Sequence, residues 1–405
     1  KEQVKQLMSA LLLVVFINFV GIGALIPVLP YTVIETLGLS ATVMTLLLAS
    51  FAFAMFLSNP VLGRLSDHVG RRRVLIVSLA VNVLAHIWFA MSTDIISMFA
   101  ARILAGLAAG NTGVIQAMIA DRVAAKDRAR YMGLFGAAIG TGFVAGPALG
   151  GLFSGLGGGP LHQAPFLLAA GFGFFALILS WRVTEAKKAK PTDENAALPL
   201  VQRLAALLHS RLALYALAFF CLNLSFAQVE ASYILVLRDS YGFDAAQTGW
   251  LFTYIGVCIV LVQAGLINGV VRWFGEVGTV VFGASLLMFG QITTVLLALG
   301  MLVGGDYPMA QLMVTTTAVC FGFGFSNPAL SAAASNATNV ASMGGTLGMV
   351  QGFAALGQVG GLVIAGPLYQ LGGSQFPFSF GAAVTACLLV VVIVILKRRP
   401  ALTIS

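Results

Sequence analysis

Three ionisable side chains stand inside stretches of this chain that carry almost no other charge: His86, Arg102 and Glu230. An ionised group at the centre of a bilayer costs about 2.5–3.5 kcal/mol or more, so residues of this kind either work or are paired. Glu230 can bind and release a proton. Arg102 keeps its charge at every accessible pH and can only assist a transfer made by a neighbour. His86 is either a packing residue or a proton relay. For Glu230 the other reading is a place near the outer surface, solvated or paired with Arg238.

A second set of residues lies where charge is dense. GRLSDHVGRRRVL, 63–75, separates two apolar runs; Gly63 and Gly70 bracket what reads as a short loop, Asp67 lies between them, and Arg71, Arg72 and Arg73 follow. Arginines at the end of a span can simply be a topological stop. A carboxylate among them can also be a clasp, because an anion near a helix N-terminus gains roughly 0.3–1 kcal/mol. A third set, GAAIGTGFVAGPALGG at 136–151, is a packing device: Gly136, Gly140, Gly146, Gly150 and Gly151 leave a helix surface without side chains. Pro147 removes one backbone bond there and bends the helix. Amides and phenols form the fourth set: Asn18, Asn82, Asn111, Gln116, Asn223, Gln228, Tyr233, Tyr254, Gln263, Gln291, Asn327, Gln351 and Gln358. They either line a cavity for an amphipathic or lipophilic ligand or tie helix to helix.

The elements that must position these residues are set by composition. Hydrophobic residues make up 59% of the 405 and charged ones 9%, against roughly 25% charged in soluble domains. About twelve apolar runs, each near the roughly 20 residues a bilayer requires, lie between residues 7 and 396, the first over 7–30, the fourth over 96–119 and the eighth over 245–270. They are continuous, which excludes the short alternating strands of a membrane barrel. The chain therefore reads as an all-α membrane protein of twelve transmembrane helices. Of its 22 lysines and arginines, only Arg238 falls in an outer loop and only Arg102 within a span. The positive-inside rule then places both termini in the cytoplasm. A basic face against anionic lipid accounts for the net charge of +8, so no nucleic-acid partner is expected. Cys221, Cys258, Cys320 and Cys387 show no metal-ligand spacing, and neither a metal nor a cofactor is expected. HExxH, GxSxG and Walker patterns are missing, which argues against an enzyme.

The hydrophilic stretch 184–210 divides the spans six and six, giving bundles over 1–183 and 211–405 joined by a cytoplasmic linker that contains an amphipathic helix. GVVRWFGEVGTV at 269–280 echoes the 63–75 segment, Gly275 answering Gly70, and GLVIAGPLYQLGG in the eleventh span echoes GFVAGPALGG in the fifth. Repeats of this kind mark secondary transporters, in which two pseudo-symmetric halves rock about a central site.

GRLSDHVGRRRVL resembles the loop 2–3 motif of the major facilitator superfamily, and GAAIGTGFVAGPALGG the fifth-span motif of its proton-coupled drug antiporters. ARILAGLAAG, with Arg102, is similar to a third motif of that group. GIGALIPVLP, IAD at 119–121, NPAL and GTLGMVQGFAALG extend the likeness to tetracycline/proton antiporters through most of the chain. The resemblance implies the major facilitator fold and a multidrug exporter in a bacterial inner membrane, exchanging small amphipathic molecules for protons by alternating access as a monomer. It assigns Asp67, Arg71 and Asp121, with Arg72 nearby, to a conformational latch at the start of span eleven, the fifth-span glycines to the seal between halves, Arg102 to assistance of proton transfer, and a seventh-span acid, here Glu230, to proton coupling. The likeness does not extend to the tetracycline site: Asn18 replaces the first-span acid, Ala85 lies near the third-span acid, and span nine has none. A lipid or sugar-like solute exporter, an uncoupled facilitator and a transporter-like sensor are the alternatives.

Overall fold

The computed structural model describes residues 2–123, 125–154, 156, 162–184, 210, 212–301, 308–337 and 343–397. Among these every regular element is helical: α1 (Glu2–Ala24), α2 (Ala41–Val69), α3 (Arg71–Met91), α4 (Ile95–Ala109), α5 (Thr112–Arg122), α6 (Ala125–Phe153), α7 (Gln163–Ser180), α8 (Leu212–Tyr241), α9 (Ala245–Leu261), α10 (Ile267–Ala298), α11 (Pro308–Asn336), α12 (Met343–Gly372) and α13 (Gln375–Lys397), with π-helical turns at Tyr31–Thr36 and Val262–Leu266. Ten helices are long and apolar enough to cross a membrane, and the shorter apolar helices Met8–Ala24 and Ala245–Leu261 bring the segments to the twelve expected. The amphipathic helix expected in the 184–210 linker falls on residues outside the described set.

Four segments differ from the sequence reading in ways that backbone chemistry explains. The first span is not one helix over 7–30: α1 stops at Ala24 and the chain rewinds as a π-helical turn from Tyr31, because Pro27 and Pro30 remove N–H donors and crowd the preceding turn. The fourth span is split at Gly110–Asn111 into α4 and α5. Asn59 Oδ1 caps the new start, accepting from Thr112 Oγ1 at 3.0 Å and Gly113 N at 3.2 Å, which satisfies donors that the break exposes. The eighth span widens into the π turn at 262–266 and continues into α10 as far as Gly275, where φ is +69°.

The fourth difference concerns 63–75. Residues 63–69 are the last turns of α2, and α3 begins at Arg71, so the expected loop is a single residue, Gly70, with φ +109°. Side chains rarely adopt that backbone, and glycine does so without a Cβ clash. Gly275, its counterpart in the sequence repeat, also has positive φ. The echo between halves is therefore a backbone device used twice.

Two compact units emerge, one of Lys1–Ala189 with Ile234–Val257, the other of Lys190–Tyr233 with Cys258–Ser405. In the first, Met8, Leu11, Val15, Phe19 and Ile22 form one buried face of α1, their three- and four-residue spacing matching the helical repeat. In the second, α10 and α11 meet through Gly283 and Gly322. A Cβ on Gly283 would come within 2.7 Å of the Gly322 carbonyl oxygen, and one on Gly322 within 2.8 Å of Gly283 O. Close backbone approach of this kind replaces the hydrophobic drive that lipid does not supply.

Candidate functional site

The charged cluster at the α2–α3 junction is built on Arg71. Its Nε lies 2.5 Å from Asp121 Oδ2 and its Nη2 lies 3.3 Å from Asp67 Oδ1. Asp67 is in the last turn of α2, Arg71 opens α3 and Asp121 ends α5, so one guanidinium ties three helix ends. The Asp121 side chain is 9% exposed and that of Asp67 43%, which makes the first pair the stronger one in a screened environment. Arg72 turns away and donates from Nη2 to the Trp181 carbonyl at 2.9 Å. Gly63 is an ordinary helical residue with nothing within 4 Å of where a Cβ would stand.

The glycine motif on α6 presents two faces. Gly142, Gly146 and Gly150 press on α1: a Cβ at Gly146 would lie 2.6 Å from Val20 O and 2.7 Å from Gly23 Cα, and one at Gly150 would collide with Ala24 O. Gly151 lies against α9, where its Cβ would be 2.9 Å from Gly249 Cα; a Cβ on Gly249 would in turn meet Pro147 O at 2.6 Å. Gly136 and Gly140 have nothing within 4 Å among the described residues. At 3.6 residues per turn they fall roughly 80° and 120° around the helix from the centre of the 142–146–150 stripe. The expected packing surface thus takes in Gly142, which the motif reading passed over although its four-residue spacing to Gly146 and Gly150 was visible. It leaves Gly136 and Gly140 without a packing partner among the described residues.

The intramembrane ionisable groups divide between the units. In the first, Arg102 is 5% exposed; its guanidinium carbon stands 4.5 Å from the centroid of the Phe51 ring, and its Nε has no hydrogen-bond partner among the described residues. A cation over an aromatic face gains about 0.5–2 kcal/mol. His86 is buried and bonded through Nδ1 to the Asn82 carbonyl at 2.7 Å. In the second unit, Gln358 Nε2 on α12 donates to Glu230 Oε2 on α8 at 3.1 Å. Arg238, the alternative partner, is instead bonded to its neighbour Asp239 at 2.6 Å. Glu230 therefore faces a neutral amide, not a cation.

Several cavity candidates are used between helices. Asn18 Oδ1 accepts from Asn82 Nδ2 at 3.0 Å, Asn111 Nδ2 donates to Ser78 Oγ at 3.1 Å, and Gln228 Nε2 donates to the Gly361 carbonyl at 2.9 Å. Gln291 donates to Ser225 Oγ at 2.9 Å and accepts from Thr385 Oγ1 at 3.0 Å, and the hydroxyls of Tyr233 and Thr316 bond each other. Asn223 bonds back to Phe219 O within α8. Tyr254 and Asn327 are half-buried, while Gln116, Gln263 and Gln351 are exposed. Among the described residues, Asn111 Oδ1 and Gln228 Oε1 are buried acceptors with no partner. Sequence reasoning missed Tyr31, whose hydroxyl bonds Phe243 O and Thr248 Oγ1, each at 2.7 Å; no spacing rule links positions so far apart.

The fold and the sequence as a whole find their counterparts in known proteins. Over 386 residues, 94% of this chain and 93% of the relative, the sequence is 29% identical to multidrug resistance protein 1 of Bacillus subtilis. It is 31% identical to the class H tetracycline resistance protein of Pasteurella multocida over 69% of this chain and 70% of that one. The crystal structure of a human organic anion transporter superposes with a TM-score of 0.71 at 20% identity, covering 96% of this chain and 99% of its own, which establishes a shared fold. The family model of the Major Facilitator Superfamily matches residues 11–305. This multi-pass membrane protein, with its arginine-tied α2–α3 junction and glycine-faced α6, belongs to the major facilitator superfamily.

Proposed function

We propose that the protein exports small amphipathic, drug-like molecules in exchange for protons, and that Glu230 carries the proton. The observation that carries this reading is the Glu230–Gln358 contact. A carboxylate that spans of low polarity enclose, with an amide in place of a cation, changes its interactions when it gains or loses a proton, and a group of that kind can bias a two-state carrier. Gln358 can donate to the charged carboxylate or accept from the protonated acid, so both states keep a bond. Arg102 contributes positive potential in the other unit without exchanging a proton. The drug-resistance relatives support the substrate class, and the basic-residue asymmetry supports cytoplasmic termini. Asp67, Arg71 and Asp121 form the latch that holds one state, and a single chain supplies both six-span halves, so it acts as a monomer.

Proteoliposomes test the reading. With Glu230→Gln, which mimics the protonated form, uphill export driven by an imposed pH gradient is lost while downhill exchange of the same substrate continues. A mutant that still concentrates substrate at the wild-type rate would remove Glu230 from the mechanism.

A further inference from the structure

Three consecutive arginines open α3, and the structure uses each differently. Arg71 ties Asp67 and Asp121, and Arg72 bonds the Trp181 carbonyl. Arg73 is exposed and makes no hydrogen bond or ion pair with any described residue. It stands instead at one end of a groove of about 270 Å³ between α2, α3 and α4, whose walls are Leu65, Val69, Val77, Val81 and Leu107. Eight residues of α3 separate Arg73 from Val81, about 12 Å at 1.5 Å per residue. Leu65, Val69, Val77 and Leu107 are all exposed at the rim, on helices long and apolar enough to cross a membrane. Ser78, the polar group on the floor, is already used: its hydroxyl donates to Leu75 O at 2.9 Å and accepts from Asn111 Nδ2 at 3.1 Å.

A groove with an apolar length and a cation at its end that has no partner among the described residues calls for a ligand with an apolar chain and one anionic head. We propose that it holds an anionic phospholipid, an acyl chain lying along α2 and α3 and the phosphate on Arg73. The bilayer surrounds such helices with that ligand at high local concentration, and a single basic side chain near a membrane surface is worth roughly a fivefold preference for anionic lipid. The site is separate from Glu230 and from the junction of Arg71 with its two carboxylates, Asp67 and Asp121, and it depends on no assignment of sidedness.

The test uses the full-length protein purified in detergent and two lipids with identical acyl chains, dioleoyl phosphatidylglycerol and dioleoyl phosphatidylcholine. Native mass spectrometry counts the retained lipids, and a thermal unfolding series reads the stabilisation that binding to the folded state confers. The wild type retains one phosphatidylglycerol in preference to phosphatidylcholine by about fivefold. Arg73→Gln brings the two lipids level, Val77→Trp fills the groove and reduces retention of both, and Arg272→Gln, a basic residue outside the groove, leaves the preference intact. Equal retention of both lipids by the wild type overturns the proposal. So does a preference that survives Arg73→Gln, retention that survives Val77→Trp, or a preference lost equally in Arg272→Gln, which would make the attraction a diffuse one.

Discussion

Two polar clusters in the second unit show how the same residue types serve opposite ends. Gln291, Ser225 and Thr385 join α10, α8 and α13 in a closed network: Gln291 donates to Ser225 Oγ and accepts from Thr385, Ser225 and Thr385 share a bond at 2.6 Å, and both reach the Gly381 carbonyl. Every member is neutral, and each side chain has partners within the cluster. Glu230 and Gln358 join α8 and α12 through one bond, and one of the two partners is ionisable. A closed neutral network fixes helices in place, since any rearrangement strands a donor or acceptor in an apolar setting. An open pair with a titratable member can change state without breaking the fold. On the proposed function, the first cluster is scaffold and the second a switch.

The comparison breaks most visibly at Glu230. Glu230→Gln abolishes gradient-driven export, while the melting temperature of the purified protein changes by no more than a few degrees. If the mutant instead unfolds and exports in proportion to the folded fraction, Glu230 belongs with the scaffold. Gln291→Leu is the converse. Interhelical hydrogen bonds in membranes average about 0.6 kcal/mol and reach about 1.7, so this mutant loses stability of that order in a denaturation series but still exports uphill with the wild-type dependence on the pH gradient. Uncoupling by Gln291→Leu would erase the distinction.

Much of this was legible in the sequence, and the reason is physical. Twelve apolar runs, the 63–75 motif and the fifth-span glycines each depend on local composition or on spacing along one helix. What escaped depends on tertiary neighbours. Gly63 looked like a loop boundary because glycine next to charge reads as a turn, yet α2 continues through it to Val69, its carbonyl also accepting from Ser66 Oγ at 2.6 Å. Gly136 and Gly140 share the motif with Gly146, but only the face a neighbour occupies decides which glycines pack. Asn18 and Gln228 read equally well as cavity or as tie, and only their partners, Asn82 and Gly361, separate the two.

Packing supplies the next test, because a scaffold should fail where its helices touch and tolerate change where they do not. Gly146→Leu drives a side chain into Val20 and Gly23, and overpacking of this kind costs typically 1–3 kcal/mol; the variant is poorly folded, or leaks protons when reconstituted. Gly140→Leu, with open space around it, folds to wild-type yield. Equal loss of folded protein in the two variants, measured by fluorescence-detected size exclusion, would show that the α6 faces are not distinguished as the structure has them.

The smallest effect on stability is expected at Asp67, and it carries the comparison into the first unit. Its pair with Arg71 spans 3.3 Å and its side chain is 43% exposed, whereas Asp121 approaches the same guanidinium at 2.5 Å and is 9% exposed. Exposed ion pairs contribute about 0.2–1 kcal/mol, so Asp67→Asn changes the melting temperature little, and Asp121→Asn changes it more because a partly buried guanidinium loses its nearer partner. If the junction were scaffold alone, transport would follow the same order as stability. A latch behaves otherwise: Asp67, the looser partner, is the one free to exchange contacts between states, so Asp67→Asn slows transport several-fold in a protein that inserts and melts as the wild type does. Transport rates measured at equal amounts of folded protein decide the matter. A well-folded Asp67→Asn variant with full transport would leave Arg71 and Asp121 as a structural tie and reduce Asp67 to surface charge.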